Sequence, residues 1–269
     1  MKKGLILFHR GWTDQIAMMP IINYYNTIYD QLTILNVPYA KPLFDFYLRN
    51  KNNITTIYSS DFNSNGVRPS KFYPFPISEY DYLFHGKHDK HRNDEYKDVY
   101  MSVPWNGSDD SPHFGNRYYE FYDIDFIDKI NYFEFERDLT AEEEKFNEFQ
   151  KNFSSNYILY HDNMQDPINM FKDYQKRKDM EYINLNGILV ECFQMIKVLQ
   201  NAKELHLMDS AWAQFCYLLD AKYNLLNNVN VYIYPFTTPD RWGGLLKSIA
   251  DSKHLKFEPV TLNNWTIIG

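Results

Sequence analysis

The stretch KGLILFHRGWTDQ, residues 3–15, decides the fold class. Its first six residues form a short apolar run of the buried-strand kind. HRGWTD follows as a tight segment. From Gln15 to Tyr29 apolar residues then recur at helical spacing, at Ile16, Met19, Ile22 and Tyr25. Strand, loop and helix in that order open an α/β unit.

The pattern repeats outward from there. Residues 31–37 (QLTILNV), 54–58 and 80–85 (YDYLFH) read as further strands, with a helix from Pro42 presenting Leu43, Phe46 and Tyr47. Residues 86–118 are polar and irregular, a loop long enough to imply function or mobility. Asn116 to Asp128 is compatible with a helix, and residues 133–137 with a short strand leaving the first domain. Thr140 is the expected N-cap of a helix to about Lys151, with Glu142 to Glu144 where the helix dipole favours them. Strands are then expected at 156–161, 180–185, 204–208 and 230–234. An amphipathic helix over 189–199, a helix after Asp209-Ser210, a helix at 242–252 and a terminal strand or tail at 256–268 complete the order. Alternation of this kind predicts parallel, doubly wound sheets in two domains, 1–138 and 139–269, with the boundary near 136–153.

Composition narrows the function. The chain has 269 residues, 44% of them hydrophobic, so it can bury a core. Its net charge of −7 argues against a non-specific nucleic-acid binder, which carries a basic face. The two cysteines, Cys192 and Cys216, lie in apolar helical patterns and read as buried free thiols of a reducing compartment. No leader-like h-region and no membrane-length apolar run is visible, so the expected location is cytoplasmic. The Asn-X-Ser/Thr triplets at Asn53, Asn106, Asn152 and Asn264 then read as chance. The 23 Tyr and 20 Phe fit an AT-rich genome, viral or bacterial, and also allow stacking platforms for bases or sugars.

Ligands of open α/β sheets bind beyond the carboxyl ends of the strands, where helix N-termini favour anions. That rule selects His9 to Asp14, His161-Asp162, Asn186-Gly187 and Asp209-Ser210. Gly11 relieves a tight turn. Asp14 reads either as a helix cap or as a carboxylate acting as general base, and Arg10 as a partner of a phosphate or of Asp14. Asp209-Ser210 reads either as a cap or as the floor of a diphosphate site. Asp109-Asp110, Asp123-Ile124-Asp125 and the His85, His88, His91 run are metal-like spacings in polar surroundings and read first as solvated surface. KDYQKRKD (172–179) reads as an exposed charged segment that also allows phosphate contact. No phosphate-loop, dinucleotide or nucleophile-elbow motif is present.

Gly11-Trp-Thr-Asp14-Gln-Ile-Ala-Met-Met-Pro20 resembles the opening motif of the lipopolysaccharide heptosyltransferases (glycosyltransferase family nine). There a glycine, an aspartate and a proline six residues later recur. Leu185-Asn-Gly187, continuing through Glu191, Ile196 and Ala202 to Asp209-Ser210, resembles that family's second-domain signature. The resemblance implies a GT-B fold, two Rossmann-like domains with parallel sheets facing across a cleft. It implies an inverting, metal-independent glycosyltransferase with a nucleotide-sugar donor, no other cofactor, and a glycan or other hydroxyl acceptor. Asp14 takes the position of the catalytic base. Arg10, Gly11, His161, Asn186, Gly187, Asp209 and Ser210 fall on the donor side, and Trp12 is placed to stack on a sugar or base. Ala211 and Gln214 stand where the family has glycine and histidine. No lysine stands soon after His161 as a clear phosphate partner, and Lys172, Lys176, Arg177 and Lys178 are no more than candidates. These departures leave open a non-catalytic nucleotide- or glycan-binding protein of the same fold. A further alternative is a viral or phage transferase acting on modified DNA bases. The sequence does not specify the oligomeric state.

Overall fold

The computed structural model describes residues 2–7, 12–58, 81–82, 128–162, 177–234 and 264–267. The chain divides into two compact units, Met1–Phe135 and Glu136–Gly269.

In the first unit β1 (Lys3–Leu7), β2 (Gln31–Asn36), β3 (Ile54–Tyr58) and β4 (Asp81–Tyr82) form an all-parallel sheet in the order β3-β2-β1-β4. Helix α1 runs over Trp12–Asn26, starting three residues before the expected Gln15 and ending before Tyr29. It stops because Thr27 and Ile28 fold back in tight turns onto Tyr24 and Tyr25. Asp30 then takes the amide of Lys2 on its carboxylate (2.7 Å), which returns the chain to the sheet. Residues 15–23 are buried on every side, so α1 is a core helix rather than an amphipathic surface one. Pro20 inside it removes one backbone donor. A 3-10 turn at Pro38–Ala40 leads into α2 (Lys41–Tyr47). Helix α3 (Asp128–Asn131) packs on α1. There the Asn23 amide donates to Tyr47 Oη (2.7 Å) and to the carbonyls of Tyr132 (2.7 Å) and Glu134 (2.8 Å).

The second unit carries β5 (Tyr157–His161), β6 (Glu181–Asn184), β7 (Glu204–Met208), β8 (Asn230–Tyr234) and β9 (Trp265–Ile267). These are also all parallel, in the order β6-β5-β7-β8-β9. Helices α4 (Leu139–Asn152), α5 (Ile196–Asn201) and α6 (Ala211–Tyr223) accompany them. β7 is buried along its whole length, as befits a central strand of a parallel sheet. Residues 211–220 of α6 are likewise buried all round. The helix ends at Asn224 in the left-handed region (φ 53°), whose amide returns to the Asp220 carbonyl at 2.8 Å, a common helix stop.

Three expectations are corrected. The cap of α4 is Asp138, not Thr140: its carboxylate accepts the Ala141 amide at 2.9 Å, and the helix already begins at Leu139. Residues 189–199 do not form one helix. A 3-10 turn at Leu189–Glu191 and further turns precede α5, although Leu189, Cys192, Phe193, Ile196 and Leu199 are all buried as expected. Residues 133–137 form no strand. The long loop 86–118, the helical stretch 116–127, the helix at 242–252 and the Asp and His pairs with metal-like spacing lie outside the described residues. Among the described residues no cluster of three metal-ligating side chains occurs, and no helix is long and apolar enough to cross a membrane.

Candidate functional site

In the second unit the sheet order places β5 between β6 and β7. The chain therefore leaves β5 toward β6 and returns past it to β7. Strand order reverses at this point, and crevices for ligands open there at the carboxyl edge. The residues at that edge are His161 at the end of β5 and Asp162 after it, Leu185 to Gly187 after β6, and Asp209 and Ser210 after β7.

Three cross-ties join these ends. Ser210 Oγ lies 3.0 Å from His161 Nδ1. The indole N–H of Trp212, in the first turn of α6, donates to the Leu185 carbonyl at 3.2 Å. The Asp162 carboxylate accepts from Asn184 Nδ2 (3.3 Å) and from Asn186 Nδ2, while the Asn186 backbone N–H bonds Asn184 Oδ1 at 2.7 Å. Asn186 Oδ1 is buried without a partner. Gly187 has φ +83°, and a Cβ there would meet nothing within 4 Å. The glycine is needed for the backbone conformation, and the space beside it is open.

Ser210 holds the N-cap position of α6, yet its side chain caps no amide. The hydroxyl is engaged by His161 instead. No acidic residue occupies the first turn of α6. The positive end of the helix dipole thus meets the carboxyl edge with no cap from the Ser210 side chain and no acid in the first turn, an arrangement that favours an anion. Gln214, one turn along from Ser210, is 1% exposed, and neither polar atom of its amide has a partner. Helical side chains lean toward the N-terminus of their helix, so this amide is directed back toward the Ser210 turn.

Burial pushes His161 down to about 4, against the opposing pull of the Asp162 charge. The ring is therefore neutral near pH 7. A neutral imidazole offers one N–H and one lone pair. With Nδ1 facing Ser210, Nε2 presents whichever of the two that contact does not use. Asp209 is 2% exposed, and its amide donates to the Tyr234 carbonyl at 2.9 Å, extending the ladder between β7 and β8 by one bond.

In the first unit Asp14 falls within the first turn of α1, at the carboxyl edge next to the end of β1. Its side chain, and Arg10 and Gly11, lie outside the described residues. Two neighbours on that edge are defined. Gln15 Oε1 accepts from Asn36 Nδ2 at 3.0 Å in a fully buried pair. The Trp12 ring meets Tyr39 edge-on at 4.9 Å, with Tyr39 46% exposed.

His161, Asn186, Gly187, Asp209 and Ser210 lie at or just beyond strand ends, on one edge of one sheet. Asn184 and Trp212 were not anticipated. Of the basic run, Lys172 and Lys176 lie outside the described residues, while Arg177 pairs with Asp179 (3.3 Å) and Glu204 (3.5 Å).

No family model matches the chain, and no curated protein sequence matches it significantly. Its structure is similar to the crystal structure of a glycosyl transferase family 9 protein from Veillonella parvula. The TM-score is 0.49 and the identity 10%, over 97% of this chain and 93% of that one. A likeness at this level assigns no activity, so the functional reading rests on this chain's own residues.

Proposed function

We propose that the protein is an inverting glycosyltransferase that moves a sugar from a nucleotide-sugar to an acceptor hydroxyl without a metal ion. The observation that carries this reading is the diversion of Ser210 to His161, which leaves the N-terminus of α6 without a cap from its own N-cap side chain at the switch point of the second sheet. A donor diphosphate fits there. Ser210, the helix amides and Gln214 supply hydrogen bonds to the leaving group, and Asn186 and the open space beside Gly187 receive the rest of the donor. Asp209 acts through the turn it fixes.

In this reading the units are the two halves of a GT-B enzyme, and the first supplies the acceptor side. Asp14 takes the proton of the acceptor hydroxyl as that oxygen attacks the anomeric carbon, and Arg10 and Gly11 serve the donor side. The bond from that carbon to the diphosphate breaks in the same displacement, and the nucleoside diphosphate leaves with the electron pair. The motif resemblance around Asp14 and Asp209-Ser210 supports the same assignment. Asp14→Asn tests it. Transfer is expected to be lost while thermal shifts with UDP, GDP, ADP and CMP and their sugars stay unchanged. Full transfer in that variant overturns the assignment.

Ala211 and Gln214, standing where the resembled family has glycine and histidine, favour one alternative, a non-catalytic nucleotide- or glycan-binding protein of the same fold. A nucleotide-induced thermal shift of the wild type with no donor hydrolysis or transfer selects it.

A further inference from the structure

β7 contains a polar line inside an otherwise apolar strand. Period-two alternation puts Glu204, His206 and Met208 on one face and Leu205 and Leu207 on the other. His206 is 0% exposed. Its Nε2 lies 2.9 Å from Glu204 Oε2 and its Nδ1 2.8 Å from Tyr234 Oη. The ring also stacks on Tyr232, its cross-strand neighbour, at 4.7 Å. Outside this set, Arg177 Nη1 reaches the other Glu204 oxygen at 3.5 Å.

The chemistry orients every member. A carboxylate only accepts, so His206 holds its proton on Nε2 and donates it to Glu204. Nδ1 is then a lone pair, and the Tyr234 hydroxyl donates to it. Tyr234 is fixed twice. Its hydroxyl is bound to His206, diagonally across the strand pair, and its backbone carbonyl accepts the amide of Asp209. The line therefore runs from Arg177 and Glu204 at the amino edge of the sheet to the β7–α6 turn at the carboxyl edge, about 15 Å along the strand. An apolar strand would add no directional bond at these positions. A fully satisfied polar chain instead adds direction, because each bond admits one geometry.

The geometry points to Arg177, Glu204, His206 and Tyr234 as a relay of positioning residues that holds Asp209, and with it the N-terminus of α6, in a single register. Its consequence for ligand binding rests on the donor-site reading given above; its structural consequence does not. Tyr234→Phe removes one hydroxyl and keeps the ring. Amide hydrogen exchange in the ligand-free protein is expected to rise about five- to tenfold at Asp209 and Ser210 while Leu205 and Val231 keep their protection. No rise, or a uniform rise across the second unit, overturns the relay. Long-range proton–nitrogen NMR of the wild type gives a second test that needs no variant. The Nε2–H tautomer of His206 is expected, and an Nδ1–H tautomer overturns the assignment. UDP, GDP, ADP and CMP binding, compared between wild type and Tyr234→Phe, separates the two readings. If the wild type binds none of them, the donor reading fails and the exchange data still decide the relay. If the wild type binds and the variant loses about fivefold or more, both stand.

Discussion

Ser210 Oγ and His161 Nδ1 lie 3.0 Å apart, so the hydroxyl at the N-cap position of α6 serves a neighbouring strand and not the helix. A capping serine stabilises its helix by about 1 kcal/mol. Here that contribution is absent. Ser210→Ala is therefore expected to lose only the hydrogen bond to His161, about 1 kcal/mol of stability in urea, and to weaken nucleotide binding about fivefold. Calorimetric titration checks the second figure. A loss of stability of about 2 kcal/mol or more with unchanged affinity would make Ser210 structural.

Stability should depend on pH through His161. Its ordinary value is 6.5 and burial lowers it to about 4 in the folded chain. The unfolded state thus binds the proton first as pH falls. The stabilisation from keeping the ring neutral is complete above pH 6.5 and is lost progressively toward pH 4, on the order of 3 kcal/mol in all. His206, also lowered by burial, acts in the same sense. Urea midpoints at pH 7 and pH 4.5 should differ less in His161→Gln than in the wild type. An equal difference excludes His161 as a contributor.

Two glycines should fail for different reasons. At Gly187 an added Cβ meets nothing, but φ is +83°. Gly187→Ala should cost about 1–2 kcal/mol by backbone strain, and Gly187→Asn less. At Gly4 a Cβ would lie 2.9 Å from Tyr29 Cγ and 3.0 Å from Leu32 Cδ1. Gly4→Ala should cost about 1–3 kcal/mol by overpacking, with Tyr29→Leu in the same chain recovering part of it. Denaturant unfolding of the four variants distinguishes the two mechanisms.

Asp220 ties the end of the chain to α6. One carboxylate oxygen accepts the Leu226 amide at 2.8 Å and the other the Trp265 indole N–H at 2.9 Å. Asp220→Ala leaves a buried amide without its acceptor and should cost about 3 kcal/mol. Limited proteolysis should then cut first near β9. Unchanged cleavage kinetics would refute the tie.

The strands at 31–36, 54–58, 204–208 and 230–234 were legible because short runs rich in apolar residues, β-branched in three of the four, have few other solutions between polar turns. The stretch 189–199 shows the limit of that reasoning. Periodicity reports which side chains face inward, and a 3-10 turn followed by a short helix buries the same set as one continuous helix. Asp138 and Thr140 are both good caps by residue type, and the helix uses Asp138, whose carboxylate accepts the Ala141 amide.

The site was legible residue by residue but not as contacts. Strand ends named His161 and Ser210. That they touch depends on β7 lying beside β5 in the sheet, a pairing of distant segments that no local pattern encodes. The Glu204–His206 line did leave a signal: two polar residues on the same face of a strand otherwise composed of leucine and methionine. Such a pair in a buried strand needs partners, and partners imply a network.

Both cysteines of the chain, Cys192 and Cys216, belong to the second unit, and burial holds each thiol well above its ordinary value. A thiol reagent reacts with thiolate that solvent can reach. In the native protein it therefore finds no target, and every labelling event marks an opening of the second unit. The first unit has no cysteine and stays silent. The wild-type chain carries its own clock for the excursions of one half, and a bound donor nucleotide would slow it.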